Sequence, residues 1–407
     1  MATISTGVFK QLVAKKQSAQ GTKATAGSAQ QYRRVTSTID LQKQTYQSNE
    51  IRPSMQKSDF RHGIRSVSGA ISGELSCGTY QGFIESMLRA AASAAATSGA
   101  QTNITAAVTT GAAGTFTRAA GSFITDGFRV GMVVRCSGWT TPATANNAHN
   151  CLITALTATV MTGVMLDNVA FVAKAAGDSV TIAEVGKHVA IPASGHTRDY
   201  WTIEHNFADI VQSEQFTDCV FSGMNVKLPA SGMATVDFNV MGLNMDTSTS
   251  AYFTAPTAAS SGAVLAAVNG AVYVQGTKVG LITGMDFTVN GNMSAPGGIV
   301  GSNVDPDIFP GMIDVSGNMT VLFTDAVMRD YFINETEVSI IAVFTAGNTA
   351  NADFQSHIFP RIKVGGSSKD DGNKGLTMTM PFTALEFTAG TAGVIPTTYW
   401  TQDSLYV

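Results

Sequence analysis

The sequence predicts a mainly β protein: a β-sandwich or barrel with one or two short helices and an inserted small β domain. Short segments of alternating apolar and polar residues, separated by Gly, Asn and Asp, recur along the 407 residues. Two segments place apolar residues at clear helical spacing. Charged residues make up 13% of the chain, about half of the usual share. With so few charges to keep copies apart, we expect much of the surface to be covered by other subunits.

The most structured pattern lies between residues 45 and 91. A polar loop over 46–65 comes first, and its charged residues are Glu50, Arg52, Lys57, Asp59, Arg61 and Arg65. A half-buried strand follows, with Val67, Gly69, Ile71, Gly73 and Leu75 on one face. A helix over 79–92 comes last, with Thr79 as its N-cap. Its buried face is predicted to hold Tyr80, Phe83, Ile84, Met87, Leu88 and Ala91.

This block resembles the tail tube proteins of long-tailed bacteriophages. The resemblance rests on the words SNEIR and DFRHG in the loop, SGAISGELS in the strand, and GTY at the start of the helix. It covers about a tenth of the chain and implies a structural protein without catalytic activity or cofactor. Six subunits would form a ring, rings would stack into a tube, and the loop 46–65 and an N-terminal arm would bridge rings.

The resemblance also implies partners and a location. The partners would be other copies of the chain, the tape measure, terminator and distal tail proteins, and double-stranded DNA that passes through the lumen. The protein would be a virion tail component that is assembled in the host cytoplasm. A capsid-decorating or pilin-like β protein is the first alternative. A carbohydrate-binding β protein is the second, although Trp139, Trp201 and Trp400 lie far apart in sequence.

Three regions are predicted along the chain. Residues 1–113 and 187–407 would form the tube domain, and 114–186 would be an inserted β domain on the tube exterior. A low-complexity Ala/Thr/Gly segment after Ala91 marks the boundary, and an Asp126-Gly127 turn lies within the insert. Residues 1–31 have little periodicity and are expected to be a flexible arm that orders on assembly.

The second part of the tube domain contains a predicted duplication. Gly223-Met224-Asn225 and Gly284-Met285-Asp286 each open an alternating strand, and each strand leads through a loop to another one. Between them we predict a hairpin around Asn269-Gly270. A second helix is predicted over 324–334, and Pro381 is expected to place its strand at a sheet edge. The tail 388–407 is predicted to be loop and a terminal strand.

The charge distribution is asymmetric. Residues 1–65 hold eleven Lys and Arg against three acids, a net of +8, and the rest of the chain carries a net of −12. The basic part could bind nucleic acid or an acidic face of another copy, and the acidic remainder favours the second interpretation. Asp237, Asp286 and Asp314 fall on the polar faces of strands. They are candidate lumen acids, or else ordinary solvent-facing residues.

The sequence offers only weak candidates for chemistry. It has no P-loop, nucleophile elbow, dinucleotide-binding or zinc-protease motif. His149 with Cys136 and Cys151 could begin a metal site, and Asp199, Glu204 and His205 supply an acid and a base. Structural roles explain both sets more simply. The turn 369–372 could bind a cation but is expected to be solvated.

Cysteine usage and hydropathy bound the cellular context. The four cysteines, Cys77, Cys136, Cys151 and Cys219, form no CxxC pair, and the start of the chain is polar. We therefore expect free thiols in a reducing cytoplasm, with no signal peptide and no membrane anchor.

Overall fold

The computed structural model describes residues 4–323, 327–370, 375–387, 395 and 397–405. These residues form antiparallel sheets with two short α-helices, which confirms the predicted mainly β fold. The predicted turn at 369–372 and the predicted tail at 388–407 both lie partly outside the described residues.

The N-terminal segment is a strand and not a free arm. Strand β1 (Lys10–Lys16) lies between β2 (Gln30–Tyr32) and β13 (Trp201–Phe207) and pairs with both. Its middle residues Leu12, Val13 and Ala14 are buried. The expectation that residues 1–31 order only on assembly is therefore wrong for β1, because its pairing partner lies within the same chain, far along the sequence.

The charged segment belongs to a long hairpin. Strand β3 (Thr36–Ser37) and strand β4 (Asp40–Gln47) both pair with β5 (Phe60–Glu74). Strand β5 starts well before the predicted strand, so the loop proper covers 48–59 rather than 46–65. Val67, Ile71 and the following Leu75 are buried, as the alternation predicts.

The first helix is shorter than predicted. Helix α1 (Gln81–Leu88) ends where Arg89 adopts a left-handed conformation with φ 57°. The N-cap is Tyr80, without a side-chain capping bond; the Thr79 hydroxyl instead hydrogen-bonds Ser76. The helix packs an aromatic cluster around Phe83, whose ring lies 4.2 Å from that of Tyr32 and 4.3 Å from that of Phe221.

A separate sheet follows α1. It has the strand order β11-β8-β9-β10-β7-β6 and encloses its own apolar core. Its first strand precedes the predicted boundary at Gly114, and the division of the chain into domains stays a prediction. The Asp126-Gly127 turn forms between β7 and β8 and is not a hairpin turn. The strands are β6 (Ile104–Thr110), β7 (Ala113–Arg118), β8 (Val133–Ser137), β9 (Cys151–Leu156), β10 (Val160–Met165) and β11 (Thr181–Glu184).

The main sheet is organised around one long strand, β14 (Gln212–Pro229). Its first half pairs with β13 and β16 (Asn244–Ser248), and its second half pairs with β15 (Thr235–Gly242) and β19 (Ile282–Asn290). Strand β15 also pairs with β5, and β19 pairs with β20 (Asp314–Leu322). The two predicted duplicate segments therefore lie side by side in the order β5-β15-β14-β19-β20.

The remaining strands extend this sheet in the order β20-β24-β22-β21-β17-β18, while β25 links β22 to β12. Strand β23 pairs with β24, and helix α2 (Val327–Ile333) follows β20 within the predicted 324–334. The strands are β12 (Lys187–Ala190), β17 (Gly270–Val274), β18 (Thr277–Val279), β21 (Val338–Thr345), β22 (Phe354–Val364), β23 (Ser368–Lys369), β24 (Thr377–Ala384) and β25 (Trp400–Asp403).

Two local predictions are wrong. Asn269 ends a 3-10 turn (Ala267–Asn269) and Gly270 opens β17; the hairpin turn of β17 and β18 is instead Gln275-Gly276, where both φ angles are positive. Pro381 is not in an edge strand, because β24 pairs with β20 on one side and with β22 and β23 on the other. It is tolerated because it lies between the segments that pair with β22 and β23.

Strands β21 and β22 form the middle layer of the molecule. Ile340, Ala342 and Phe359 face the main core, which also contains α1 and the apolar side of β15-β14-β19-β20. Ile341 and Ile358 face the core of the second sheet. Burial on both faces explains why EVSIIAVFT is a near-continuous apolar run.

Candidate assembly surfaces

The tip of the β4–β5 hairpin exposes apolar side chains. Ile51 and Met55 have relative exposures of 101% and 96%, and Tyr46 and Phe60 at the hairpin stem are each about half exposed. Water contact with these side chains is unfavourable, so their removal from water by a partner would stabilise a contact. The tip is therefore a candidate docking surface.

Most of the predicted bridging charges are paired within the hairpin. Arg52 and Glu50 form an ion pair at 2.7 Å, and Arg61 and Asp59 form one at 2.8 Å. The hydrogen bond from Arg61 holds the pKa of the Asp59 carboxyl below its usual value. Exposed pairs of this kind contribute little stability and are screened by salt. The apolar tip is thus the stronger source of contact energy.

Two of the predicted bridging residues are placed differently. Lys57 is exposed in the hairpin loop. Arg65 is partly buried, and its backbone N–H donates to the carbonyl of Asn303 at 2.9 Å. Arg65 thus ties the hairpin stem to the 291–313 loop and contributes to the shape of the chain itself.

The three candidate lumen acids lie on one polar face of the main sheet. Asp286 and Asp314 accept hydrogen bonds from Asn318 at 3.2 Å and Asn292 at 2.6 Å. Asp237 stands opposite Ser72 on β5 and opposite Asn225 on β14. Alternate residues of the same strands, among them Val236, Phe287 and Val315, are buried in the core. The alternation therefore separates a polar, acidic face from an apolar one.

Neighbouring residues modify the charge of this face. Lys227 stands directly opposite Asp286, and Glu74 stands opposite Thr235 in the same row across the sheet. Strands lie about 4.8 Å apart and rise about 3.4 Å per residue, so Asp237 and Asp286, which are two strands apart and offset by two residues, are about 12 Å from each other. This spacing exceeds the screening length of about 8 Å at physiological salt, and the acids act as separate charges.

The main sheet has open edges in the described part of the chain. Strands β3 and β4 pair only with β5, and β18 pairs only with β17. Helix α2 lies beyond β20 and exposes Val327 and Ile333. Unpaired backbone groups along an edge form a template for another strand.

The basic N-terminal part finds some of its acidic partners inside the chain. Lys16 contacts Asp199 at 2.9 Å and Glu85 at 3.3 Å, and Lys23 contacts Asp246 at 3.5 Å. The predicted attraction between the basic segment and an acidic surface is therefore satisfied in part within one subunit.

The weak candidates for chemistry have structural surroundings. His149 hydrogen-bonds Asp167, and Cys136 and Cys151 are buried free thiols. Glu204 is buried and accepts hydrogen bonds from Ser213 and from the backbone of Tyr252. Within the described ranges, no group of three or more His, Cys, Asp and Glu residues could hold a metal ion. Neither described helix has the length and apolar character needed to span a membrane.

Comparison with protein families matches residues 10–389 to phage tail tube proteins. The chain belongs to the phage tail tube protein family. No curated protein matches it. The match extends from β1 to beyond β24, and it confirms the resemblance drawn from the 45–91 block. This tail tube protein is a structural component of the virion tail.

The apolar tip of the hairpin in this tail tube protein was not predicted from the sequence. The charges of the loop were predicted as its contacts, whereas the apolar side chains of Ile51 and Met55 are almost fully exposed. The sequence did contain a signal for this surface: two large apolar residues lie in an otherwise polar segment. Such residues in a polar loop have nothing in their own chain to bury them. The open edge of β3 and β4 had no comparable signal.

Proposed function

We propose that this tail tube protein associates side by side into closed rings, that the rings stack into a tube, and that the tube conducts double-stranded DNA from the capsid to the host. The observation that carries this proposal is a sheet with open edges and one polar, acidic face. Pairing between the edges of neighbouring copies removes unpaired backbone groups and continues the sheet into a barrel. The family resemblance implies six subunits in each ring, with each subunit supplying one position of the wall.

The acidic face suits the lumen of such a tube. Duplex DNA carries about one negative charge per 1.7 Å of its axis, and a basic wall would hold it. A polar wall with Asp237, Asp286 and Asp314 repels the phosphates weakly over about 8 Å. DNA in such a channel would slide without specific contacts.

Contacts between rings would come mainly from the β4–β5 hairpin. Its exposed Ile51 and Met55 extend beyond the sheet and would pack on the next ring. The N-terminal segment contributes less than expected, because β1 is held by β2 and β13. Of the described N-terminal residues, those at 4–9, with exposed Ile4 and Val8, could reach a neighbour.

The second sheet, β6 to β11, would lie on the tube exterior, where its bulk leaves the channel open. Tape measure, terminator and distal tail proteins would meet the lumen and the two tube ends, after assembly in the host cytoplasm. Carbohydrate binding has no support from the tryptophans, because Trp139, Trp201 and Trp400 are all buried.

Electron microscopy of the purified chain tests the proposal. We expect the natural chain to form rings or tubes in negative stain. The double variant Ile51→Asp, Met55→Asp would give isolated rings without stacking. Val268→Asp changes a similarly exposed apolar residue outside the hairpin and should leave tubes intact. Compact monomers at all concentrations would contradict ring formation, and normal tubes from the double variant would contradict the role of the hairpin.

A second experiment tests the lumen. The triple variant Asp237→Arg, Asp286→Arg, Asp314→Arg should still build tubes but slow DNA ejection from complemented phage particles. The matched variant with three Asp→Asn changes should eject at a rate close to normal, because it removes charge without adding attraction. Equal ejection rates for all three proteins would show that these acids do not face the DNA.

A further inference from the structure

The chain contains two copies of one five-stranded unit. The first unit consists, in chain order, of β3 with β4, then β5, β13, β14 and β15; strands β6 to β12 lie between β5 and β13. The second unit consists, in chain order, of β19, β20, β21, β22 with β23, and β24. The pairing of the strands is also the same in both units. The first strand pairs with the second, the second with the fifth, the fifth with the fourth, and the fourth with the third. Helix α1 follows β5 and helix α2 follows β20.

The pairing registers of the two units agree residue by residue. Thr36 pairs with Ser72, and Gly284 pairs with Thr320. Each residue of the second pair lies 248 positions after its counterpart in the first. The pairs Asp40–Ser68 and Thr288–Ser316 have the same separation. This repeat covers more of the chain than the duplication predicted from the sequence. It also makes different strands counterparts of each other.

Irregularities in the strands also recur. The β13–β14 register shifts between Trp201 and Ile203, and the β21–β22 register shifts between Val338 and Ile340. Strand β14 shifts by one residue against β15 between Phe221 and Gly223. The second unit shifts by one residue at the same place: Val364 stands opposite Phe382, but Ser368 stands opposite Thr379. Bulges at matching positions are features that two unrelated sheets would not share.

One sequence match supports the same alignment. Val67-Ser68-Gly69 on β5 corresponds to Val315-Ser316-Gly317 on β20. A Cβ on Gly69 would lie 2.6 Å from the Thr38 carbonyl oxygen, and one on Gly317 would lie 2.4 Å from the Asp286 carbonyl oxygen. Thr38 and Asp286 are themselves counterparts. The same close backbone approach therefore requires glycine in both units.

The chain already shows how two such units join. Strand β14 of the first unit pairs with β19 of the second, with Gly223 opposite Asn290 and Asn225 opposite Thr288. Within the described part of one chain, the segments that correspond to β14 and β19 do not pair with each other. The counterpart of β19 is the β3–β4 edge, and the counterpart of the β14 segment is 366–370, whose only described strand partner is β24. Ser368, Lys369 and Asp370 are exposed.

We propose that segment 366–370 of one chain pairs with the β3–β4 edge of a second copy in the register of the internal junction. Gly366 then stands opposite Gln42, Ser368 opposite Asp40, and Asp370 opposite Thr38 of the neighbour. This inference rests on the proposed ring. Since each chain supplies two wall units, a ring of six positions contains three chains and not six.

The second sheet gives a direct readout of the chain count. It lies in the α1–β13 connection of the first unit, whereas the corresponding α2–β21 connection is only residues 334–337. Each chain therefore carries one such lobe for two wall units. Top views of rings by cryo-electron microscopy should show three lobes around a wall with approximate sixfold symmetry. Six lobes around a ring would overturn the three-chain ring.

Disulfide trapping tests the pairing itself. Asp40→Cys with Ser368→Cys places two thiols on directly paired residues of neighbouring copies, at a spacing that a disulfide accepts. Oxidised tubes of this double variant should give cross-linked species up to the trimer on denaturing gels without reductant, while either single variant stays monomeric. The four natural cysteines are buried, which limits background.

The outcomes separate the two proposals. Cross-linked species that continue to the hexamer would overturn the three-chain ring. Tubes that form but give no more cross-linking than Asp40→Cys with Glu386→Cys, a pair outside the proposed register, would overturn the pairing and leave the tube function standing. Absence of rings from the natural chain would instead overturn the proposed function.

Discussion

His357 lies on β22 in the middle layer of the fold, where the substitution His357→Gln changes the pH dependence of stability. Its Nδ1 atom lies 2.7 Å from the Tyr399 hydroxyl, and its ring lies 5.1 Å from that of Phe287. Complete burial lowers the pKa of the His357 imidazole to about 3. The side chain is therefore neutral in the folded protein at any pH above about 3. Glutamine keeps a hydrogen-bonding partner for the Tyr399 hydroxyl but cannot titrate.

The sign and size of the effect follow from linkage. The unfolded chain binds a proton at His357 below a pH of about 6.5, whereas the folded chain does not, so the free energy of unfolding falls as the pH falls through this range. Each pH unit corresponds to about 1.4 kcal/mol, which gives a loss of about 2 kcal/mol between pH 7 and pH 5. His357→Gln should lack this loss. Other titrating groups contribute equally to both proteins and cancel in the difference.

Urea unfolding followed by tryptophan fluorescence measures this difference on dilute subunits that sedimentation shows to be monomeric. We expect the free energy of unfolding to fall more steeply with acidity for the natural chain than for His357→Gln. His62→Gln changes an exposed histidine on β5 and should behave like the natural chain. Parallel curves for the natural chain and His357→Gln, within about 0.5 kcal/mol from pH 7 to pH 5, would refute the buried neutral imidazole.

Three further predictions concern the core. Phe83→Ala empties the centre of the aromatic cluster and should lower the free energy of unfolding, measured with urea, by about 3–5 kcal/mol. The control Phe9→Ala, at an exposed position, should change the same quantity by less than about 0.5 kcal/mol. Gly317→Ala should lower it by about 1–3 kcal/mol, because the new Cβ would overlap the Asp286 carbonyl oxygen; an unchanged melting temperature would contradict this close approach. Burial raises the pKa of the Asp403 carboxyl to about 6. The protonated carboxyl therefore contributes stability below about pH 4, and this contribution is lost as the pH rises through 6. In urea titrations, the free energy of unfolding of the natural chain should rise by about 2 kcal/mol relative to that of Asp403→Asn as the pH falls from 7 to 4.

Patterns within a short segment were enough to predict some elements. The alternation of β5 and the helical spacing of α1 are local, and Val67, Ile71, Phe83 and Met87 are buried as those periods require. The continuous apolar run of β21 predicted a strand but not its position between two cores. Local periodicity therefore identifies elements and their buried faces.

Pairing between distant segments could not be predicted in this way. Strand β1 has weak periodicity of its own, and it is ordered by β13, which begins at Trp201. Pro381 was expected at an edge because the break between β22 and β23 cannot be seen in the sequence around it. Sequence identity between the two wall units is scattered, whereas their registers and bulges coincide. Its clearest matches are Val-Ser-Gly on β5 and β20, and Gln212-Ser213 with Phe216 on β14 against Gln355-Ser356 with Phe359 on β22.

The placement of the candidate surfaces was predicted in part. The alternation predicted that Asp237, Asp286 and Asp314 occupy polar strand faces, and the structure puts them on one face. Whether that face lines a lumen stays a prediction. The charges of the hairpin were identified, but not their pairing within the hairpin, because the partners Glu50 and Asp59 were counted as separate bridging residues.

The internal junction explains how open edges can build a closed ring. The β3–β4 edge and segment 366–370 are different surfaces, so their contact between copies is heterologous, and such contacts give rings only when the rotation at each step closes. In this chain one step of the rotation is already fixed, since β14 and β19 pair within the same polypeptide. If the outer junction repeats the same register, it repeats the same rotation, and a ring with the six wall positions that the family resemblance implies closes after three chains. An edge of this kind would otherwise extend without limit into fibres.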